Sequence, residues 1–156
     1  METREIQIES LEKEIRNYVV NISDTKSDIT LWEFLSDKLL TIKALERGLP
    51  VSISVKILDV ISPIISSGEL KFITLFLTPE KANDNLDPLD TEKIMELAEV
   101  VEFGRKVFEN DEKLKLWLDT PIKALGYIKP MTLLKYNSGR HMVIEELGRI
   151  EYGIFA

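Results

Sequence analysis

Prolines and glycines punctuate the last third of the chain, residues 103–155, more densely than any other part. Pro121 and Pro130 stand where helices can begin, because proline needs no amide hydrogen at the first helical position. Gly126 and Gly153 stand where helices can end, since glycine readily adopts the left-handed conformation of a helix terminus. The spacing predicts several short helices joined by tight turns.

Upstream, the apolar residues recur with a helical period. Residues 5–20 place aliphatic side chains on one face, with Glu and Lys between them, which predicts an amphipathic helix. Residues 29–47 repeat the pattern, and Gly48 followed by Pro50 predicts where this helix ends. Residues 52–65 are rich in Val and Ile, which suit a strand, but their spacing also fits a helix. Periodicity leaves both open for this segment.

A long helix is predicted from residue 87 to about residue 108. Asp87 followed by Pro88 has the order of a helix cap and a first turn. We expect a core face and a solvent face at helical spacing. The core face consists of Ile94, Leu97, Val101 and Phe108, and the solvent face of Glu99, Glu102 and Lys106.

The length of 156 residues suits one domain, or two small ones that share a core. The polar run at residues 83–87 is the best linker candidate in the chain. We therefore expect an N-terminal helical region, residues 1–86, and a C-terminal domain, residues 87–156.

Composition excludes several functional classes. The chain has no cysteine, so disulfides, thiolate nucleophiles and Cys-ligated metals are excluded. No apolar run approaches the roughly 20 residues of a membrane span, and no signal-peptide pattern opens the chain; we expect a cytoplasmic protein. The net charge is −7, which argues against a protein that coats nucleic acid. The acidity is concentrated in residues 51–100, with four Lys/Arg against nine Asp/Glu.

No enzyme constellation is visible. The single histidine, His141, has no nucleophile motif around it, and a surface or capping role is expected for it. Glu145 and Glu146 are adjacent, so on a helix they point about 100° apart and do not converge on one substrate. No phosphate-binding loop, dinucleotide fingerprint or metal-ligand pattern is present. We expect no catalysis, no cofactor and no metal.

The C-terminal pattern resembles the toxin-binding domain of Xre/MbcA/ParS-type antitoxins. Two positions depart from the family pattern. Tyr127 stands where the family usually has a second glycine, and Lys129 where it often has threonine. The matching residues are Val107-Phe108, Trp117-Leu118 with Pro121, Ala124-Leu125-Gly126, Pro130, Leu133-Leu134, Gly139, Val143, Leu147, Arg149-Ile150-Glu151 and Gly153.

The resemblance implies a fold and a function. The fold is all-α, with a degenerate helix-turn-helix in the N-terminal helical region followed by a small helical toxin-binding domain, and it favours a helix for residues 52–65. Antitoxins of this family usually pair with a RES-domain toxin that consumes NAD. The implied function is that of a type II antitoxin that binds this toxin and occludes its active site.

An alternative function is a helix-turn-helix transcriptional regulator that binds its own operator. The family places its recognition helix where Pro79 to Asn85 lie in this chain, after a cap at Thr78. This segment offers Lys81, Asn83 and Asn85 to DNA but no arginine, and phosphate contacts depend on cationic side chains. We expect weak operator binding, or binding only in complex with the toxin, and a helix-turn-helix that mainly supports a homodimer or a hetero-oligomer with the toxin.

Aromatic and arginine residues near the C-terminus have the profile of interface anchors. The regularly spaced apolar residues Trp117, Leu118, Leu134, Val143 and Leu147 are expected to build the small core instead. The predicted toxin-binding residues are polar or terminal: Arg140, Arg149, Glu151, Tyr152, Gly153, Ile154 and Phe155.

Overall fold

The computed structural model describes residues 3–23, 28–74 and 85–153, with the backbone alone at residues 67 and 72–74. All helices and turns of regular structure in this part of the chain are α-helical or 3-10, which confirms the all-α prediction. It contains no strand, only isolated bridges between Pro50 and Asn85 and between Ile122 and Ile128. The helices are α1 (Arg4–Ile22), α2 (Leu31–Ser36), α3 (Lys38–Arg47), α4 (Val51–Ile61), α5 (Ser67–Thr74), α6 (Pro88–Phe108), α7 (Asp111–Leu118), α8 (Pro130–Leu133) and α9 (Asn137–Glu151), with a 3-10 turn at Lys123–Leu125 between α7 and α8.

The segment that periodicity left undecided is the helix α4. Its buried side chains include Ile53, Ile57 and Ile61, which follow one another at intervals of four residues. This interval suits one helical face, and the adjacent residues Val60 and Ile61 are both buried there, whereas a strand would send adjacent residues to opposite faces. The high Val and Ile content therefore reflects a buried helix, because packing outweighs intrinsic propensity here.

The predicted helix over residues 29–47 is wrong as a single element. It is divided at Asp37, whose backbone is extended, with φ −81° and ψ 107°. The Asp37 carboxylate accepts hydrogen bonds from the backbone N–H groups of Leu39 and Leu40 at 3.0 and 3.1 Å. A carboxylate in this position satisfies the first amides of a new helix. The break thus arises because Asp37 caps α3 instead of continuing α2.

Helix α6 lies at the centre of the fold, in contact with α2, α3, α4, α7 and α9. Asp87 caps it by accepting a hydrogen bond from the Asp90 N–H at 2.8 Å, as the sequence predicts. The core face is also confirmed, since Ile94, Leu97 and Val101 are at most 2% exposed, while Phe108 is partly buried.

The prediction that Glu99 faces solvent is wrong, because only 8% of its surface is exposed. Its carboxylate accepts a hydrogen bond from the Lys38 ammonium of α3 at 3.2 Å. A helix surrounded by neighbours on several sides buries residues beyond its main apolar stripe, and the ion pair compensates the buried charge. Glu102 is partly exposed and Lys106 is exposed, as predicted.

The end of the predicted linker packs against the N-terminal region. The Leu86 N–H donates to the Leu49 carbonyl at 2.8 Å, and Leu86 is buried. Gly48 has φ +85°, and a Cβ there would meet the carbonyl oxygen of Leu86. Glycine is needed at this close approach. Residues 83 and 84 lie outside the described part of the chain, and the division at residues 86 and 87 stays a prediction.

Among the described residues, no helix is both long and apolar enough to cross a membrane.

Candidate functional site

The C-terminal helices form a small core where the sequence predicts one. Leu118, Leu134, Val143 and Leu147 are fully buried, and Trp117 is partly buried with its ring centroid 5.6 Å from that of Phe108. The predicted boundaries at Gly126 and Pro130 are confirmed, but Pro121 opens no helix, because the 3-10 turn begins only at Lys123. Asn110 caps α7, Gly126 follows the 3-10 turn with φ +74°, and Pro130 opens α8.

A buried polar network joins the last helix to the central one. Glu96 of α6 is 8% exposed and Arg140 of α9 is 4% exposed. The Arg140 Nε donates to Glu96 Oε1 at 2.9 Å, and its Nη1 donates to the Leu134 carbonyl at 3.0 Å. Asn137 Nδ2 donates to the same Glu96 Oε1 at 2.9 Å, and His141 Nε2 contacts Glu96 Oε2. One carboxylate thus contacts three side chains from the first half of α9.

The network also brings potential metal ligands together. Glu92, Glu96 and His141 place three ligand atoms within 4.8 Å of one another. Asn137 Nδ2 bridges the two carboxylates, at 2.8 Å from Glu92 Oε1. Within this cluster the Arg140 guanidinium compensates the charge of Glu96. The role of the cluster in the fold is to fix α9 on α6.

The predicted toxin-binding residues fall into two groups. Arg140 lies inside the fold, as just described, and its side chain is not part of the surface. Arg149, Glu151, Tyr152 and Gly153 lie at the exposed end of α9. Arg149 Nη1 is 3.2 Å from Glu146 Oε2, Tyr152 is 77% exposed, and Gly153 has φ +70°. The two remaining predicted residues, Ile154 and Phe155, lie outside the described residues.

The predicted DNA-binding residues are represented by Asn85 alone, because Lys81 and Asn83 lie outside the described part of the chain. Asn85 Nδ2 donates to the Arg47 carbonyl at 3.3 Å, and its backbone forms the bridge with Pro50. These contacts tie Asn85 to the turn between α3 and α4. The proposed recognition helix itself stays a prediction.

Comparison with known proteins finds a family whose sequence model matches the C-terminal helices. Residues 104–153 match the model of the antitoxin Xre/MbcA/ParS C-terminal toxin-binding domain. The match extends from the last turn of α6 to the residue after Tyr152, so it includes Arg140 and the exposed end of α9. The resemblance found in the sequence is therefore confirmed.

Two curated relatives carry the same description. The chain is 33% identical over 82 residues to "Antitoxin Xre" of Yersinia enterocolitica, an alignment that covers 51% of this chain and 55% of the relative. It is also 33% identical over 66 residues to "Antitoxin Xre" of Photorhabdus laumondii, over 42% of this chain and 45% of the relative. The chain thus aligns with about half the length of each relative.

Sequence reasoning missed two structural features of the helices described above. Glu96 is buried against α9, although a glutamate in a long helix usually faces solvent. It lies two residues after the core residue Ile94, and residues two apart lie on different faces of a helix. The helical period therefore gives no signal of its burial. Tyr127 has a left-handed backbone with φ +61°. Here a signal existed, since the family usually has glycine at this position, and glycine is the residue that adopts this conformation most readily.

Proposed function

We propose that this chain is the antitoxin of a type II toxin–antitoxin pair. Its C-terminal domain binds a RES-type, NAD-consuming toxin and occludes the active site. The observation that carries the proposal is the match of residues 104–153 to a toxin-binding domain. The curated relatives named as antitoxins support it. Inhibition by occlusion needs affinity but no chemistry from this chain, so we propose no catalytic activity.

The exposed end of α9 is the proposed contact with the toxin pocket. Arg149 supplies a cation, Tyr152 supplies an aromatic ring that is 77% exposed, and Gly153 turns the chain with φ +70°. Exposed aromatic and arginine side chains are typical anchors of protein interfaces. Arg140 contributes indirectly in this account, because its contacts with Glu96 fix the helix that presents these residues.

The fixed position of α9 supports a tight complex. An inhibitor working at nanomolar concentration needs about 12 kcal/mol of binding free energy, which a standard interface with a few anchors can supply. A helix already held by a buried network loses little conformational freedom on binding, and this saving appears as affinity. We further propose that the complex forms in the cytoplasm as a homodimer or as a hetero-oligomer with the toxin.

The double variant Arg149→Glu with Tyr152→Ala tests the proposed contact. Both side chains are exposed, so helical content by circular dichroism should stay unchanged. We expect the variant to lose neutralisation of the toxin encoded by the adjacent reading frame, measured by growth of cells that express both proteins. Undiminished protection would refute the role of the α9 end.

A control makes the same two types of change, a reversed cationic charge and a large side chain cut to alanine, outside the toxin-binding domain. Leu39 is 71% exposed on α3, and Lys43 is exposed on the same helix. The double variant Leu39→Ala with Lys43→Glu should neutralise the toxin as the wild type does. If neither variant nor wild type protects cells but the wild type binds operator DNA with a steep salt dependence, the alternative function as a transcriptional regulator replaces this proposal.

A further inference from the structure

Tyr127 has a backbone conformation that residues with a side chain rarely adopt. Its φ of +61° lies in the left-handed region, where a Cβ crowds the adjacent carbonyl. Among the described residues, Glu109 is the other non-glycine residue with positive φ. Glu109 ends α6, where a left-handed residue is a common terminator. Gly126 already provides this terminator for the 3-10 turn, so helix termination does not explain Tyr127.

The turn that carries this residue, residues 122–129, is named here the tyrosine turn. The N–H groups of Leu125 and Tyr127 both donate to the Ile122 carbonyl, at 3.0 and 2.9 Å. The Ile122 N–H donates to the Ile128 carbonyl at 3.2 Å and closes the turn. Leu125 is 5% exposed and anchors the turn in the core. The backbone that presents Tyr127 is therefore fixed on the domain.

The Tyr127 ring points to solvent. It is 68% exposed, and the neighbouring Ile128 is 44% exposed. Packing within the chain therefore does not offset the cost of the left-handed backbone. An exposed aromatic side chain on a fixed turn is a common form of interface anchor, because it offers a large contact area and loses little conformational freedom on binding.

The chain on both sides of Tyr127 is basic. Residues 113–135 contain five lysines and one acidic residue, Asp119, although the net charge of the whole chain is −7. Lys123 and Lys129 belong to the tyrosine turn itself and are exposed; Lys129 Nζ lies 3.3 Å from Asp119 Oδ1. The surface that complements such a segment is acidic.

We propose that the tyrosine turn is a second contact site for the toxin, in which the Tyr127 ring is an anchor and the lysines face an acidic surface of the toxin. This inference rests on the proposed function and adds partner selectivity to it. The glycine expected at this position would adopt the same backbone without strain, so the ring is what tyrosine adds. The site thus distinguishes toxins that offer an apolar pocket with an acidic rim from those that do not.

The variant Tyr127→Gly separates binding from stability. It removes the ring and also relieves the backbone, so we expect a melting temperature within about 2 °C of the wild type or above it. The dissociation constant for the toxin of the adjacent reading frame, measured by calorimetry, should rise at least about tenfold. Tyr127→Asn, which tolerates the left-handed region, should behave alike. Tyr127→Phe keeps the ring and should bind as the wild type does.

Each outcome decides a different question. If the glycine and asparagine variants bind within about twofold of the wild type, well below the effect of an interface anchor, the tyrosine turn is not a contact site and the antitoxin function stands. If the wild type itself does not bind, both proposals fail. The affinity of the wild type should also fall as salt rises, and binding that is independent of salt would overturn the acidic character assigned to the partner surface.

Discussion

Replacing Arg140 by methionine removes the charge that compensates Glu96 while keeping a long apolar side chain in its place. Two hydrogen bonds are lost, one to Glu96 Oε1 at 2.9 Å and one to the Leu134 carbonyl at 3.0 Å. Both ends of the ion pair are less than 10% exposed, so water cannot replace the missing donor. The variant therefore leaves a buried carboxylate and a buried carbonyl with fewer partners than in the wild type.

The magnitude follows from these contacts. Breaking a buried ion pair by removing one partner costs about 3–5 kcal/mol. Glu96 keeps the Asn137 amide and His141 as partners, which lowers the expected loss to about 3 kcal/mol, near the bottom of that range. At about 2–4 °C per kcal/mol for a chain of this size, the melting temperature should fall by about 6–12 °C.

Urea unfolding followed by circular dichroism measures this loss. Arg149→Met is the matched control, because Arg149 lies on the same helix with its side chain 46% exposed and paired with Glu146. An exposed pair of this kind contributes little, so the control should lose less than about 0.5 kcal/mol. If Arg140→Met costs no more than the control, the network does not hold α9 on α6 and the reasoning is refuted.

Two further predictions concern glycine packing and pH. Gly104→Ala should destabilise the protein by about 1–3 kcal/mol, because the new methyl group would meet the fully buried Leu114 side chain. Gly148→Ala, with open space at its Cβ, should instead stabilise α9 by about 0.5–1 kcal/mol. If the two variants change the free energy of unfolding in urea equally, the close packing of Gly104 on Leu114 is contradicted. Burial raises the pKa of Tyr18 from 10.0 to about 12, with Arg47 acting in the opposite direction. The folded state thus holds this proton more tightly than the unfolded state. The resulting contribution to the free energy of unfolding is complete below pH 10 and is lost as pH rises towards 12. Tyr18→Phe should remove that decline from the free energy of unfolding measured over this range, and a decline as steep as in the wild type would show that Tyr18 is not its source.

Local signals in the sequence were sufficient for much of the fold. Asp87, Asn110 and Pro130 mark helix starts through chemistry that acts within one turn, so their positions could be predicted without knowledge of the neighbours. Asp37 shows the limit of this reasoning. The apolar period continues through it, and the break becomes apparent only when its carboxylate is seen to accept two amide hydrogens.

The buried charges could not be predicted from one helix at a time. Glu96 and Glu99 have polar side chains at positions that α9 and α3 cover from outside, and their partners Arg140 and Lys38 lie about 40 and 60 residues away in sequence. For the same reason the aromatic and arginine content of the C-terminus indicates Arg140 as an interface candidate, whereas in the fold its side chain is buried against Glu96. The predicted toxin-binding residues at the end of α9 are exposed, while their role in toxin binding stays a proposal.

This chain is proposed to bind and silence a toxin that consumes NAD. The direct measurement is NAD consumption by the product of the adjacent reading frame, titrated with this protein. We predict that NAD loss stops at a fixed molar ratio of the two proteins, and that Arg149→Glu with Tyr152→Ala shifts or abolishes this end point. NAD loss that continues unchanged at excess antitoxin, or a partner that consumes no NAD at all, would contradict the account.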